Sequence, residues 1–282
     1  MTALTDLSAI ANRLTGGNSG TPENLFYWID NRVGAAAASA TVAGRLTSTW
    51  TWNKHPLGAG AVPTTSAIPV NTTAGALGQT DPAGGREKWL LGGAVSPSQI
   101  GSIILYDRLV HTGGLDGTVT TAQTTNLPTT ALTRYTNGVG NQIWVEIYTI
   151  IGATGTTATV SYTNGTPTAG RTSQSFAIGG TGARESERVI VVPLQDGDKT
   201  VVSVENIDLV ATTGTAGNFG ITIVHPLLVI PCGAGGAGAV FDCLSRFPSL
   251  PEIEVDACLG IAWLANGTTA PQIFGNLSMI ES

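Results

Sequence analysis

The sequence predicts a mainly β protein: an antiparallel β-sandwich or barrel-like domain with an N-terminal helical arm. Three observations carry this. From Arg45 onward apolar and polar residues alternate with a period near two, the strand period. Short β-branched runs recur between pairs such as Asp116-Gly117, Asn137-Gly138 and Asp196-Gly197, which supply the chemistry of tight turns. The composition agrees, with 37 Gly among 282 residues and 42% hydrophobic residues, enough for a sizeable core. Only 11% of residues are charged, against roughly 25% in ordinary soluble domains, so the polar surface must be built from Thr, Ser, Asn and backbone.

In chain order, the segment Leu4 to Leu14 predicts a short helix closed by Gly16-Gly17. Thr21-Pro22-Glu23 has the form of a second helix start, with a capping hydroxyl, Pro at the first helical position and an acid in the first turn. Leu25, Phe26, Ile29 and Val33 follow at helical spacing. Tyr27 and Trp28 make that helix apolar nearly all round, which predicts burial in its own domain or against a partner. The run Ala35 to Ala38 extends it. Then Leu46, Ser48, Trp50 and Trp52 alternate with Thr47, Thr49 and Thr51 as a strand. Residues 55–85 have almost no periodicity, the mark of a functional arm or a packed extension. Residues 1–85 are therefore expected to form an interaction region and residues 86–282 a β-rich domain. Within the latter, strands are expected at 87–91, 100–110, 142–151, 156–163, 188–194, 200–210, 219–230 and 252–259. The turn Gln195-Asp196-Gly197-Asp198 predicts a hairpin between Val189–Val192 and Val201–Val204.

The chemistry-bearing residues are few. Net charge is −6 and the 13 Lys and Arg form no basic stripe, so direct nucleic-acid binding is not expected. The longest apolar tract, Ile221 to Cys232, is interrupted by His225-Pro226 and is too short to span a bilayer, so no membrane is expected. Cys232, Cys243 and Cys258 are odd in number, and Met1 to Asp6 lack the features of a signal peptide. Both point to reduced, buried thiols in a protein folded in a cytoplasm. No Cys-x2-Cys pair suggests a metal site. Gly233 to Gly238 matches G-x-G-x-x-G after an apolar run, but Pro248 and Pro251 leave no room for the long helix a dinucleotide needs. It is read as a packed connector, and no cofactor is expected.

Glu252, Glu254 and Asp256 alternate with apolar residues, placing three carboxylates on one strand face toward solvent or a partner. The cluster Arg184 to Arg188 is read as a solvated loop tip. His55, His111 and His225 are the only histidines, and none adjoins a nucleophile elbow, so no catalytic residues are assigned and no enzyme is expected. The candidate interaction residues are the aromatics Phe26, Trp28, Trp50 and Trp52. Trp50 and Trp52 also suit a sugar-stacking platform, which makes a tail or fibre component or a carbohydrate-binding module the main alternative. A hydrolase using His111 is a weaker one.

Three segments carry a resemblance: Trp89-Leu90-Leu91-Gly92-Gly93-Ala94, Ile103-Ile104-Leu105-Tyr106-Asp107-Arg108-Leu109 and Leu250-Pro251-Glu252-Ile253-Glu254-Val255-Asp256-Ala257-Cys258-Leu259. Set in a charge-poor chain rich in Thr and Gly, they resemble structural proteins of tailed-bacteriophage virions, particularly those that decorate or cement the capsid. The likeness is one of style across most of the chain, and it transfers no catalytic residue. It implies a virion protein assembled in the host cytoplasm, docking on the major capsid protein, and a symmetric homo-oligomer with a trimer favoured.

Overall fold

The computed structural model describes residues 7–14, 21–31, 41–127, 132–166, 168, 170–246 and 249–281. Among the described residues its elements, numbered in chain order, are one α-helix, α1 (Leu7–Leu14), a short 3-10 turn at Leu244–Arg246, and strands arranged in three antiparallel sheets. The predicted mainly β, antiparallel class is what the chain adopts.

The central sheet has the order β10 (Val189–Val191), β6 (Gln142–Thr149), β12 (Asn218–Cys232), β4 (Gly101–His111), β14 (Leu259–Ala265) and β2 (Leu46–Ser48). It curls until its two edges meet, where Thr47 bridges Arg188 and the amide of Ser48 donates to the carbonyl of Glu187 at 2.8 Å. The result is a nearly closed barrel. Its interior is filled by Leu46, Tyr106, Trp144, Val189, Val224 and Ala262, with Tyr106 edge-on to Trp144 at 4.7 Å.

Two smaller sheets cover the outside of this barrel. One has the order β1 (Pro22–Asp30), β15 (Gln272–Glu281), β3 (Lys88–Pro97) and β13 (Ala239–Asp242). The other runs β5 (Gln123–Thr124), β11 (Ser203–Leu209), β7 (Thr156–Thr163) and β8 (Arg171–Thr172), with β9 (Phe176–Ile178) also on β7. Each cover has its own core. Ile103 and Leu105 of β4 and Leu228 and Ile230 of β12 pack beneath the first sheet. Leu109 and Val110 of β4 and Phe219, Ile221 and Ile223 of β12 pack beneath the second. Register shifts after Ile223 and around Pro226 let one long strand serve both cores. Pro226 is tolerated in this central strand because it sits at the irregularity.

Four expectations need correction. Residues 22–30 are a strand, not a helix. β1 pairs residue for residue with β15, from Pro22 opposite Ile280 to Asp30 opposite Gln272. Tyr27, Ile29 and Asp30 are buried while Phe26 and Trp28 are exposed, so the decisive period is two, and aromatic and β-branched residues suit that half-buried surface. The Thr-Pro-Glu start imitated a helix cap. Val33, Ala35 to Ala38 and Gly16-Gly17 lie outside the described residues.

The second correction concerns the turn at Asp196-Gly197. The turn exists, with Gly197 at φ +87° and the Asp198 amide bonded to the Gln195 carbonyl. Its flanking strands do not pair, however: β10 joins β6 in the barrel and β11 joins β7 in a cover sheet. Third, Glu252, Glu254 and Asp256 do not share a strand face. The strand begins at Leu259, and residues 254–257 form a turn in which Asp256 has φ +60°. Fourth, Arg184 to Arg188 is not a solvated tip but the barrel seam. Arg45 pairs with Glu185, Arg188 donates to the Leu46 carbonyl at 3.1 Å, and buried Glu187 accepts the indole N–H of Trp52 at 2.7 Å. Burial without a cationic partner pushes the Glu187 carboxyl above its usual range.

Residues 55–85 are a packed strap lacking regular strands. Ala76 and Leu77 are fully buried, the Leu77 amide bonds the Leu259 carbonyl, and Ala67 bridges His111. Tyr27, Ile29, Trp52 and Leu77 share one core with Leu90, Ile103 and Ile273, so both sides of position 85 contribute to it.

Candidate interaction surface

The first cover sheet presents an outward face whose composition follows from its register. Trp28 stands opposite Phe274, Phe26 opposite Asn276, Phe274 opposite Ser96, Asn276 opposite Ala94, and Ala94 opposite Val240. Directly opposed residues of antiparallel strands project to the same side. Large apolar groups therefore sit on the β1 side, where Phe26 and Trp28 are joined by Phe274 of β15, and at Val240 on the far edge, with Asn276, Ala94 and Ser96 between them. Phe26 is 75% exposed, Val240 83%, Phe274 45% and Trp28 39%. Phe26, Trp28 and Phe274, together with Lys54, Pro56 and Gly238, border an open groove of about 590 Å³.

Local packing holds the groove in shape. Trp28 and Phe274 stack at 5.2 Å with planes 13° apart, and the Lys54 ammonium lies 5.3 Å from the Trp28 ring centre. A cation over an indole face adds a modest attraction at exposed sites. On the inner side Tyr27 lies across its partner Gly275, where a Cβ would come within 2.3 Å of the phenol oxygen. Glycine is thus required for that close approach, and burial raises the Tyr27 hydroxyl pKa well above its ordinary value. At the other end of β1, Glu23 is tied to the buried ammonium of Lys88, which also meets Gln79 Oε1 at 3.0 Å.

Of the four aromatics singled out from sequence, Phe26 and Trp28 lie on this face and Trp50 and Trp52 do not. Both of the latter are buried. The Trp50 indole donates to the Ala61 carbonyl at 2.8 Å, and its ring is flanked by Gly60 and Gly75. The sugar platform drawn from Trp50 and Trp52 is therefore overturned, because neither ring has a face open to solvent. Phe274, Val240 and Lys54 escaped the sequence reading. The alternation of Ile273, Gly275, Leu277 and Met279 with Phe274, Asn276 and Ser278 was the available signal for the first of these.

No family model and no curated protein matches the chain. Among solved structures, the D431N mutant VP2 protein of infectious bursal disease virus, from derived T=1 particles, aligns over 94% of this chain at 10% identity with a TM-score of 0.09. The chain spans 40% of that protein's length. A score at this level carries no structural argument.

The charged residues of Tyr106-Asp107-Arg108 are internal. Arg108 forks onto Glu146, with Nη1 donating at 2.8 Å and Nη2 at 2.5 Å, and it also reaches Tyr148 and Thr222 at 3.1 Å. Its Nε–H donates to His111 Nδ1 at 2.8 Å. Burial and the Arg108 charge together lower the His111 pKa to about 2. On the opposite side of β4, Asp107 accepts two bonds from Arg134 and one from the Cys258 amide. Among the described residues no three His, Cys, Asp or Glu side chains cluster as a metal site, and no helix is long and apolar enough to cross a membrane. The Gly233 to Gly238 segment leads into strand β13, with no helix N-terminus to face a phosphate. The three cysteines are buried as free thiols.

Proposed function

We propose that this protein is a non-enzymatic structural component of a tailed-phage virion, assembled in the host cytoplasm, that binds the capsid surface through protein–protein contacts and stabilises it. The partner in this reading is the major capsid protein, with further copies of the chain as neighbours. The observation that carries it is the outward face of the first cover sheet. A chain with ample core material leaves Phe26, Trp28, Phe274 and Val240 together at the surface, and grouped exposed apolar side chains of this kind mark contact surfaces. The buried ionisable groups support the absence of catalysis, since Arg108, Glu146, Asp107 and Arg134 are spent on one another. The resemblance in style to capsid-decorating proteins supplies the choice of partner.

The test is peptide mass spectrometry of purified virions combined with rebinding of the protein to capsids. The expected result is a stoichiometric virion protein whose rebinding is weakened about tenfold or more by Trp28→Ala with Phe274→Ala, a loss typical of buried aromatic anchors. Virions that lack the chain overturn the reading. A glycan array addresses the alternative: sugar binding that disappears with Phe274→Ala would replace a capsid partner with a carbohydrate one.

A further inference from the structure

The edge of β1 away from β15 is open at its centre among the described residues, and its pattern of donors and acceptors there is symmetric. The Glu281 amide donates to the Thr21 carbonyl and the Asn31 amide to the Pro271 carbonyl. These two bonds fix the parity of the ladder: odd-numbered residues of β1 turn their backbone groups toward β15 and even-numbered ones turn theirs away. At one end of the edge Pro22 has no N–H to offer. At the other, Asp30 exchanges backbone bonds with Asn53 at 2.8 and 3.2 Å. Between them the N–H and C=O groups of Asn24, Phe26 and Trp28 point outward without a backbone partner among the described residues, and all three residues are exposed.

We propose that this edge pairs with the same edge of a second copy of the chain, antiparallel and centred on Phe26. The proposal deepens the assembly reading above and rests on it for the view that this sheet is a contact surface. A second copy is the occupant because the open run is its own complement. Under a two-fold axis through Phe26, the residue meets its symmetry mate, and Asn24 and Trp28 of one copy meet Trp28 and Asn24 of the other. All three pairs are of the type that exchanges two backbone hydrogen bonds. No open donor is left over and no occupied one is needed.

The usual safeguards against such pairing are missing from the centre of the run. Natural edges carry inward charges, Lys, Pro or bulges, whereas residues 24, 26 and 28 are Asn, Phe and Trp in a β1–β15 ladder without a register shift. The same two-fold sets the two Phe26 rings side by side on the outward face, a favourable aromatic cross-strand pair. It joins the two four-stranded sheets into one and makes the two grooves neighbours. The contact is isologous, so the assembled species is a dimer where the family resemblance implies a trimer.

The experiment is the solution mass of the 282-residue chain at micromolar concentration, by light scattering after gel filtration, for the wild type, Asn24→Pro and Asn24→Ala. The expected wild-type mass is twice the 28.8 kDa of one chain. Asn24→Pro removes an outward N–H but no bond to β15, so the fold survives while the dimer dissociates about 10–100-fold more readily. One lost bond accounts for up to about tenfold, and symmetry makes the loss twice. Asn24→Ala keeps the donor and keeps the dimer. Melting temperature and near-ultraviolet circular dichroism verify that Asn24→Pro is folded; if it is not, Phe26→Lys, which sets two cations face to face across the axis, replaces it.

A wild-type monomer or trimer overturns the proposal, and so does a dimer indifferent to both disruptive variants. The two readings fail separately. A monomer that still binds capsids overturns self-pairing alone, and a β1-dependent dimer absent from virions overturns the capsid reading alone.

Discussion

Arg108 is fully buried, yet it has a partner in every direction: the Glu146 fork, the Tyr148 and Thr222 hydroxyls, His111 Nδ1, and the Trp50 ring 4.4 Å away. A buried ion pair contributes little net stability over apolar residues of the same volume, but removing one partner strands a charge in a low-dielectric core. Glu146→Gln is therefore expected to cost about 3–5 kcal/mol, and Arg108→Met with Glu146→Leu to recover much of that. Urea denaturation of the three proteins checks it; equal losses in the single and double variants would show that the pair itself stabilises the barrel. The sequence had already placed Tyr106-Asp107-Arg108 in an apolar strand. It gave no sign of the partners, because Thr222 is brought to Arg108 only by the neighbouring strand β12 and Glu146 only by β6 beyond it.

At the scale of elements, the segment 55–85 acts as a clasp on Trp50. Cβ atoms built on Gly60 and Gly75 would lie 2.4 and 2.7 Å from the indole, and Gly75 adopts φ +95°. Gly60→Ala is expected to overpack this contact and destabilise the protein by about 1–3 kcal/mol, with faster protease cleavage inside 55–85 as the local readout. Unchanged cleavage would mean that the segment is held by its other contacts. Strands β4, β6, β7 and β12 were legible from sequence because β-branched runs with turn chemistry at both ends report local preference. β1 was misread because Thr21-Pro22-Glu23 satisfies a helix cap locally while the partner that makes it a strand, β15, lies some 250 residues away in sequence. The aromatic face was half legible for the same reason: Phe26 and Trp28 were identified, but Phe274 and Val240 join them only through sheet register.

At the scale of the molecule, β4 and β12 run through both cores, so the two cover sheets share their foundation. This argues for one cooperative unit whose stability depends on pH through its three histidines. Burial lowers the pKa of His55 and of His225 to about 4, and burial together with the Arg108 charge takes His111 lower still. Each is neutral when folded and takes up a proton near pH 6.5 when unfolded, so the unfolded state binds more protons below that pH. Their contribution is full above pH 6.5 and is lost as the pH falls from 6.5 toward 4 for His55 and His225 and on toward 2 for His111. Glu187, raised by burial, acts in the opposite sense. The denaturation midpoint is expected to fall over this window in a single transition, and His55→Gln to remove on the order of 1–3 kcal/mol of that slope. A flat profile would contradict the histidine contribution, and two transitions would contradict the shared core.

The position of β15 has one more consequence, in the order of synthesis. β1 is translated some 250 residues before its ladder partner β15, which spans 272–281. Until that strand is translated, Phe26 and Trp28 belong to a segment with no sheet to join, and the outward face does not exist. The contact surface thus forms only once β15 has been made, so a nascent chain that stops short of it has no finished edge to offer another copy.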